Sequence, residues 1–177
     1  MILLLNGAFG IGKSTVARAF LAQVPNGILF DPEIIGIALQ QLTRLSGHGV
    51  EDFQDLRLWR SLTVAGLKLA RWKSSCIVVP MAISNPAYLA ELQLGIRRFE
   101  PRCCHTCLVA PKSIVHDRLR ERGADPIRNS WEFRRASECC EAHASDTFAQ
   151  HIDVASRNPD EIARELLSIA GIIDRAA

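Results

Sequence analysis

No stretch of this sequence stays apolar for long, no block of it carries one sign of charge, and no segment repeats or falls to low complexity. The apolar start, Met1 to Leu5, gives way at once to Asn6-Gly7, which is too short for a signal peptide or a membrane span. A cytoplasmic protein without a transmembrane segment is expected. Lysines and arginines are scattered and the formal charge is only +2, so the basic stripe that a nucleic-acid polymer would need is missing. At 177 residues, 48% of them apolar, the chain suits one domain, 1–177, with a sizeable core.

Two missing motifs bear on chemistry. After the apolar run Cys76-Ile77-Val78-Val79 the sequence continues Pro80-Met81-Ala82, without the aspartate by which many nucleotide hydrolases hold magnesium. The N-K-x-D element of guanine-specific switch proteins is also absent. Triphosphate hydrolysis as the main task is therefore disfavoured. The six cysteines do not supply a metal site either. Cys103-Cys104-His105-Thr106-Cys107 holds a C-x-x-C spacing, but it runs into Leu108-Val109-Ala110 and reads as a strand. Positions three apart on a strand face opposite ways and lie about 10 Å apart. Cys104 and Cys107 are thus expected to be packed, reduced thiols, as are Cys139 and Cys140, and His105 a packed histidine.

What is present begins at Gly7. Residues Gly7-Ala8-Phe9-Gly10-Ile11-Gly12-Lys13-Ser14 match the phosphate-loop pattern G-x-x-x-x-G-K-[ST] and follow the apolar run Ile2-Leu3-Leu4-Leu5 directly. Glycines let consecutive backbone N–H groups converge on phosphate oxygens at the start of a helix. Lys13 adds a point charge near the β and γ phosphates, the Ser14 hydroxyl suits Mg²⁺, and Thr15 adds a further hydroxyl. A nucleoside triphosphate site is the leading expectation.

Along the chain, short apolar runs alternate with helical periodicities, which predicts an α/β sheet with helices on both faces. Strands are expected at 2–5, 27–30, 76–79, 104–109 and 151–154, and helices at 14–23, 33–45, 86–99, 113–122, 130–142 and 159–170. A further helix is read from Asp52 to about Trp72, with Phe53, Leu56, Trp59 and Leu62 on one face. Asn129-Ser130-Trp131-Glu132 reads as a reciprocal cap opening another.

Ligands of such sheets sit at the carboxyl ends of the strands. The second strand ends in Asp31-Pro32-Glu33, where Asp31 is suited to take a proton from an attacking hydroxyl or to help hold Mg²⁺. The same residues also suit a helix cap with Pro32 at its first position. Arg118 and Arg122 share one helical face beside Gly123-Ala124-Asp125-Pro126, a segment able to close, so about 118–130 is expected to form a mobile lid. His48, between Gly47 and Gly49, reads as a solvated loop histidine.

Asn6-Gly7-Ala8-Phe9-Gly10, Phe30-Asp31-Pro32-Glu33, Asp52-Phe53-Gln54, Leu58-Trp59-Arg60, Val78-Val79-Pro80-Met81 and Asn129-Ser130-Trp131 together resemble the ATP-binding tunicamycin-resistance proteins, across nearly the whole chain. The wider likeness is to nucleoside-monophosphate kinases and to small-molecule kinases acting on chloramphenicol, shikimate or gluconate. The resemblance implies a P-loop kinase-like three-layer sandwich with a five-stranded parallel sheet and a lid. It further implies an Mg-ATP-dependent phosphotransferase acting on a hydroxyl of tunicamycin or a similar nucleoside. The third strand lacks the D-G-x-P-R type of sequence by which monophosphate kinases engage their acceptor, so an uncharged, hydroxyl-bearing acceptor fits better. Glu33, Phe53, Arg57, Trp59 and Arg60 are the candidate acceptor contacts, although Phe53 and Trp59 also match a core-facing stripe. Trp72 and Trp131 read as ordinary anchors. Two other readings stand beside it: a nucleotide-gated protein that sequesters the drug unmodified, and a kinase of an endogenous nucleoside or sugar.

Overall fold

The computed structural model describes residues 1–47 and 49–173, so His48 lies outside the described residues. Five strands form one parallel sheet: β1 (Ile2–Gly7), β2 (Ile28–Leu29), β3 (Ile77–Met81), β4 (Cys103–Val109) and β5 (His151–Asp153). Their order is β2-β3-β1-β4-β5. Every one of the five expected strands is present. β1 is central, with Leu4 opposite Val79 on one side and His105 on the other. All six of its residues are buried, which is why it reads as a continuous apolar run and not as an alternation.

Side-chain alternation across β1 divides the core into two layers. Leu3, Leu5, Val78 and Leu108 pack with Val16 and Phe20 of α1 (Lys13–Leu21) and with Ile162 and Leu166 of α7 (Pro159–Ile169). Ile2, Leu4, Ile77 and Val79 pack on the other face with Trp59 and Leu67 of α3 (Arg57–Ala70) and Leu92 and Ile96 of α4 (Pro86–Arg97). The cysteines follow the same rule. Cys104 joins the first layer and Cys107 the second, and both are free thiols. Burial pushes the Cys107 thiol up to about 12, the behaviour of a packed, inert group.

The remaining helices are α2 (Glu33–Leu45), α5 (Lys112–Glu121) and α6 (Ser130–His143). Three details depart from the sequence reading. The helix expected from Asp52 is interrupted: Asp52 caps a 3-10 turn, Phe53–Asp55, by accepting from the Gln54 N–H at 2.8 Å, Leu56 is extended, and α3 starts at Arg57. The restart shifts the helical phase, so Trp59, Thr63 and Leu67 form the buried face while Leu62 is exposed. The expected reciprocal cap at Asn129 is also absent. The Asn129 side chain turns back to accept from the Asp125 N–H at 3.0 Å, closing the 122–129 connection on itself. Trp72 is no anchor, being 82% exposed just beyond α3.

No helix of the described residues is long and apolar enough to cross a membrane.

Candidate active site

The turn from β1 into α1 is shaped by two glycines. Gly12 opens α1 at φ 106° and Gly10 lies at φ 81°, backbone conformations that side-chain-bearing residues rarely adopt. Gly10 is also pressed against α5: a Cβ there would stand 2.7 Å from Leu119 Cγ. Gly12, Lys13 and Ser14, at the start of α1, thus line an open cavity at the sheet's carboxyl edge.

That cavity, about 170 Å³, is lined by Phe9, Gly10, Gly12, Lys13 and Ser14 of the loop, by Asp31 and Glu33 after β2, by Pro80 of β3, and by Arg122 after α5. Residues 31 to 122 are far from the loop in sequence, and parallel strand order alone gathers them. Of the other loop residues, Ala8 and Ile11 are buried beneath it, with the Ile11 N–H donating to the Ala8 carbonyl at 3.3 Å. Gly7 ends β1, and Thr15 is exposed in the first turn of α1.

Lys13 arches back over its own loop, Nζ donating to the Gly7 and Ala8 carbonyls at 2.9 Å each, 5.5 Å from the Phe9 ring centroid. Burial lowers the tendency of its ammonium to hold a proton, and the Glu33 carboxylate opposes that. Burial raises Glu33 in turn, with Lys13 pulling it back. The two groups therefore sense each other across the cavity. Asp31 does two things at once: its Oδ1 accepts from the Glu33 N–H at 2.9 Å, starting α2, while the residue lines the cavity. The cap reading and the cavity reading are both satisfied.

Ser14 and Asp31 offer a hydroxyl and a carboxylate, the hard oxygen donors that Mg²⁺ takes. This ion ordinarily completes its octahedron with phosphate oxygens and water, so two protein donors suit it. Pro80 stands on the cavity wall at the end of β3, where an aspartate would otherwise project.

The two arginines separate. Arg122 reaches the cavity, whereas Arg118 sits inside α5 and is held by three main-chain carbonyls: Nη1 donates to Ile11 at 3.0 Å, and Nη2 to Val154 at 2.8 Å and Ala155 at 3.3 Å. Arg118 fastens the back of the phosphate loop to the segment after β5. The non-helical connection of the expected lid is 122–129.

The expected acceptor contacts also divide. Trp59 is 1% exposed and donates its indole N–H to the Pro32 carbonyl at 2.9 Å, pinning the start of α2. Arg60, 5% exposed, donates to Glu91 and to the Gln54 carbonyl, each at 2.6 Å. Arg57 is exposed and borders a cavity between α3 and α4, which shares no lining residue with the phosphate-loop cavity. None of these three lines the phosphate-loop cavity. Phe53 stays in reach. It packs over Gly36 and lines a cavity with Trp131.

Trp131 is the residue the sequence reading underrated. On the first turn of α6 it meets the phosphate-loop Phe9 edge-on, ring centroids 5.6 Å apart, and it lines three adjoining cavities. Its position directly after Asn129-Ser130, at the exit of the lid segment, was the available signal.

No protein-family model matches the sequence, and no curated protein does. Solved structures do. The chain is similar to the tunicamycin resistance protein of Deinococcus radiodurans, 26% identical, covering 96% of this chain and 95% of that one, with a TM-score of 0.76. It is similar in fold to a gluconokinase from Sinorhizobium meliloti 1021, at 17% identity, 96% and 91% coverage and a TM-score of 0.65. A shikimate kinase from Acinetobacter baumannii matches at 12% identity, 99% and 95% coverage and a TM-score of 0.61. The fold, a five-stranded all-parallel sheet with seven helices among the described residues, is that of P-loop small-molecule kinases.

Proposed function

We propose that this protein transfers the terminal phosphoryl group of Mg-ATP to a hydroxyl of a small molecule, with tunicamycin or a similar nucleoside as the acceptor. The observation that carries this reading is the convergence of Lys13, Ser14, Asp31 and Arg122 on one cavity at the mouth of the phosphate loop. The likeness to a tunicamycin resistance protein over nearly the full length of both chains supports the choice of acceptor.

In this reading the loop amides and Lys13 hold the triphosphate, and Ser14 would hold the cation, with Asp31 reaching it only through water. Asp31 accepts the proton of the acceptor hydroxyl while that oxygen bonds to the γ phosphorus. The bond from the γ phosphorus to the bridging oxygen breaks, and ADP leaves. Arg122 offsets charge on the transferring group from the non-helical connection 122–129, which acts as the lid. The added phosphate's charge and bulk would spoil a tightly fitted inhibitor.

Incubating the full chain with Mg-ATP and tunicamycin tests this directly. A mass gain of one phosphoryl group on the drug, with equimolar ADP, is expected. Loss of free drug without that gain would replace the reading with sequestration.

A further inference from the structure

Trp131, whose ring meets Phe9 of the phosphate loop, also lines a second cavity of about 370 Å³, between the 3-10 turn, the β3–α4 loop and α6. Its charged lining is uneven: Glu51, Asp52, Asp55 and Glu138 against Arg134 and Arg135. Both guanidiniums are already engaged. Arg135 pairs with Asp52 at 3.0 Å and Glu138 at 2.6 Å, and its side chain is only 14% exposed. Arg134 pairs with Glu51 and, at 3.9 Å, with Glu138. Arg60, behind the wall, is consumed by Glu91 and the Gln54 carbonyl. Arg44, at the outer mouth beside Trp131, is exposed, so solvent screens its charge.

An entering anion therefore meets a surplus of two carboxylates, and both guanidiniums lining the cavity are already ion-paired, with only the buried Nε of Arg135 left without a hydrogen-bond partner. Burial pushes the Asp52 carboxyl up, the Gln54 N–H and Arg135 pull it down, and Asp55 and Glu138 push it up again. Polar groups for hydroxyl recognition stand around the same space, among them Ser84, Asn85 and Tyr88. The Trp131 ring supplies a flat face for a sugar or base, and it touches the phosphate loop through Phe9.

We propose that this cavity selects the acceptor by charge: it takes an uncharged or ammonium-bearing polyhydroxylated ring laid on Trp131 and turns away sugar acids and phosphorylated sugars. Glu138, shared by both arginines, supplies one of the two surplus negative charges. The word acceptor rests on the phosphotransferase reading, but the selection itself is a matter of binding and is measured separately. It sets this chain apart from the proteins of the same fold named for gluconate and shikimate, both carboxylates at neutral pH.

Isothermal titration of the full chain with D-glucosamine, D-glucose and D-glucuronate compares one pyranose ring at three charges. Glucuronate is expected to bind at least about tenfold more weakly than glucosamine, the size of a few-ångström charge interaction at a half-exposed site. Glu138→Gln should shrink that gap to about threefold or less, leaving the Asp52–Arg135 pair to keep the cavity in shape. Trp131→Ala should weaken glucose and glucosamine alike. Glucuronate binding as tightly as glucosamine, a gap unmoved by Glu138→Gln, or no binding of any of the three while a fluorescent ATP analogue still binds would each overturn the proposal. A parallel sample with Mg-ATP and tunicamycin reads transfer. Charge selection among the probes with no phosphoryl transfer to tunicamycin would sink the phosphotransferase reading and leave the selection standing.

Discussion

At the scale of single residues, the site turns on groups that hold two commitments. Asp31 starts α2 through one carboxylate oxygen and lines the phosphate cavity as well. If it is the base, Asp31→Asn keeps the capping acceptor but loses the proton acceptor. Transfer should then slow at least about a hundredfold at unchanged nucleotide affinity. Lys13→Ala is its opposite, removing the fixed charge at the phosphates, so nucleotide affinity should fall sharply. Binding of a fluorescent ATP analogue, measured beside single-turnover transfer, separates the two. A mild loss of transfer in Asp31→Asn would reduce the residue to a helix cap. The loop, Asp31 and Arg122 were legible in the sequence because a phosphate site is built from contiguous backbone and from strand ends, both of which leave local marks. Asp52 and Arg135 were not legible as a pair. They lie on different elements and meet only when the 3-10 turn packs beside α6, and no local pattern encodes such a contact.

At the scale of elements, α5 is the member that joins the parts of the nucleotide site. Leu119 packs against Gly10, and Arg118 ties Ile11 of the loop to Val154 and Ala155 after β5. The sequence reading placed all seven α helices, since caps and 3.6-residue periodicity are local, but it assigned Arg118 and Arg122 one joint task. Four positions apart, they share a helical face only while the helix lasts. α5 ends at Glu121, which frees Arg122 for the cavity and leaves Arg118 under the loop. Arg118→Ala should therefore raise the KM for ATP several-fold through a loosened loop, and lower stability by about 2 kcal/mol through lost charge-assisted bonds to carbonyls. The rate at saturating ATP should change little. Steady-state kinetics decides it: a fall in kcat at unchanged KM would mean that Arg118 swings out to meet the transferred group. The broken helix at Leu56 has the same lesson. A stripe of Phe53, Leu56, Trp59 and Leu62 satisfied the periodicity, yet a capping Asp52 and the pull of Trp59 toward the Pro32 carbonyl favoured a turn and a restart.

At the scale of the whole molecule, the two halves of the site are stitched together by a buried polar knot under the sheet's carboxyl edge. Asn6, the last residue before the phosphate loop, donates to the Ile83 carbonyl at 2.9 Å and accepts from the Ile83 N–H at 2.9 Å. His143, at the end of α6, donates from Nε2 to that same carbonyl at 2.7 Å, which fixes its neutral tautomer. Ile83 leads into Ser84 and Asn85 of the second cavity, so this knot holds β1, the β3–α4 loop and α6 in one register. His143 is 1% exposed, and burial, opposed by the Ile83 hydrogen bond, lowers its imidazole from the ordinary 6.5 to about 4. Above pH 6.5 both folded and unfolded chains carry it neutral, and it contributes no slope. As pH falls from 6.5 toward 4, the unfolded chain takes up a proton that the fold refuses, so stability falls; below 4 both forms are protonated and the loss stops growing. The full loss is about 3 kcal/mol, of which about 2 kcal/mol is reached by pH 5. Burial also raises the Glu33 and Asp52 carboxyls, so the comparison must cancel whatever they contribute. His143→Gln does so, because its amide keeps a donor for Ile83 and cannot take the proton. Urea unfolding at pH 7 and pH 5 should show the wild-type chain losing about 2 kcal/mol more than the variant between the two. Equal losses would mean that His143 is already open to water in the folded protein, and that the loop, the sheet and α6 are joined by packing alone.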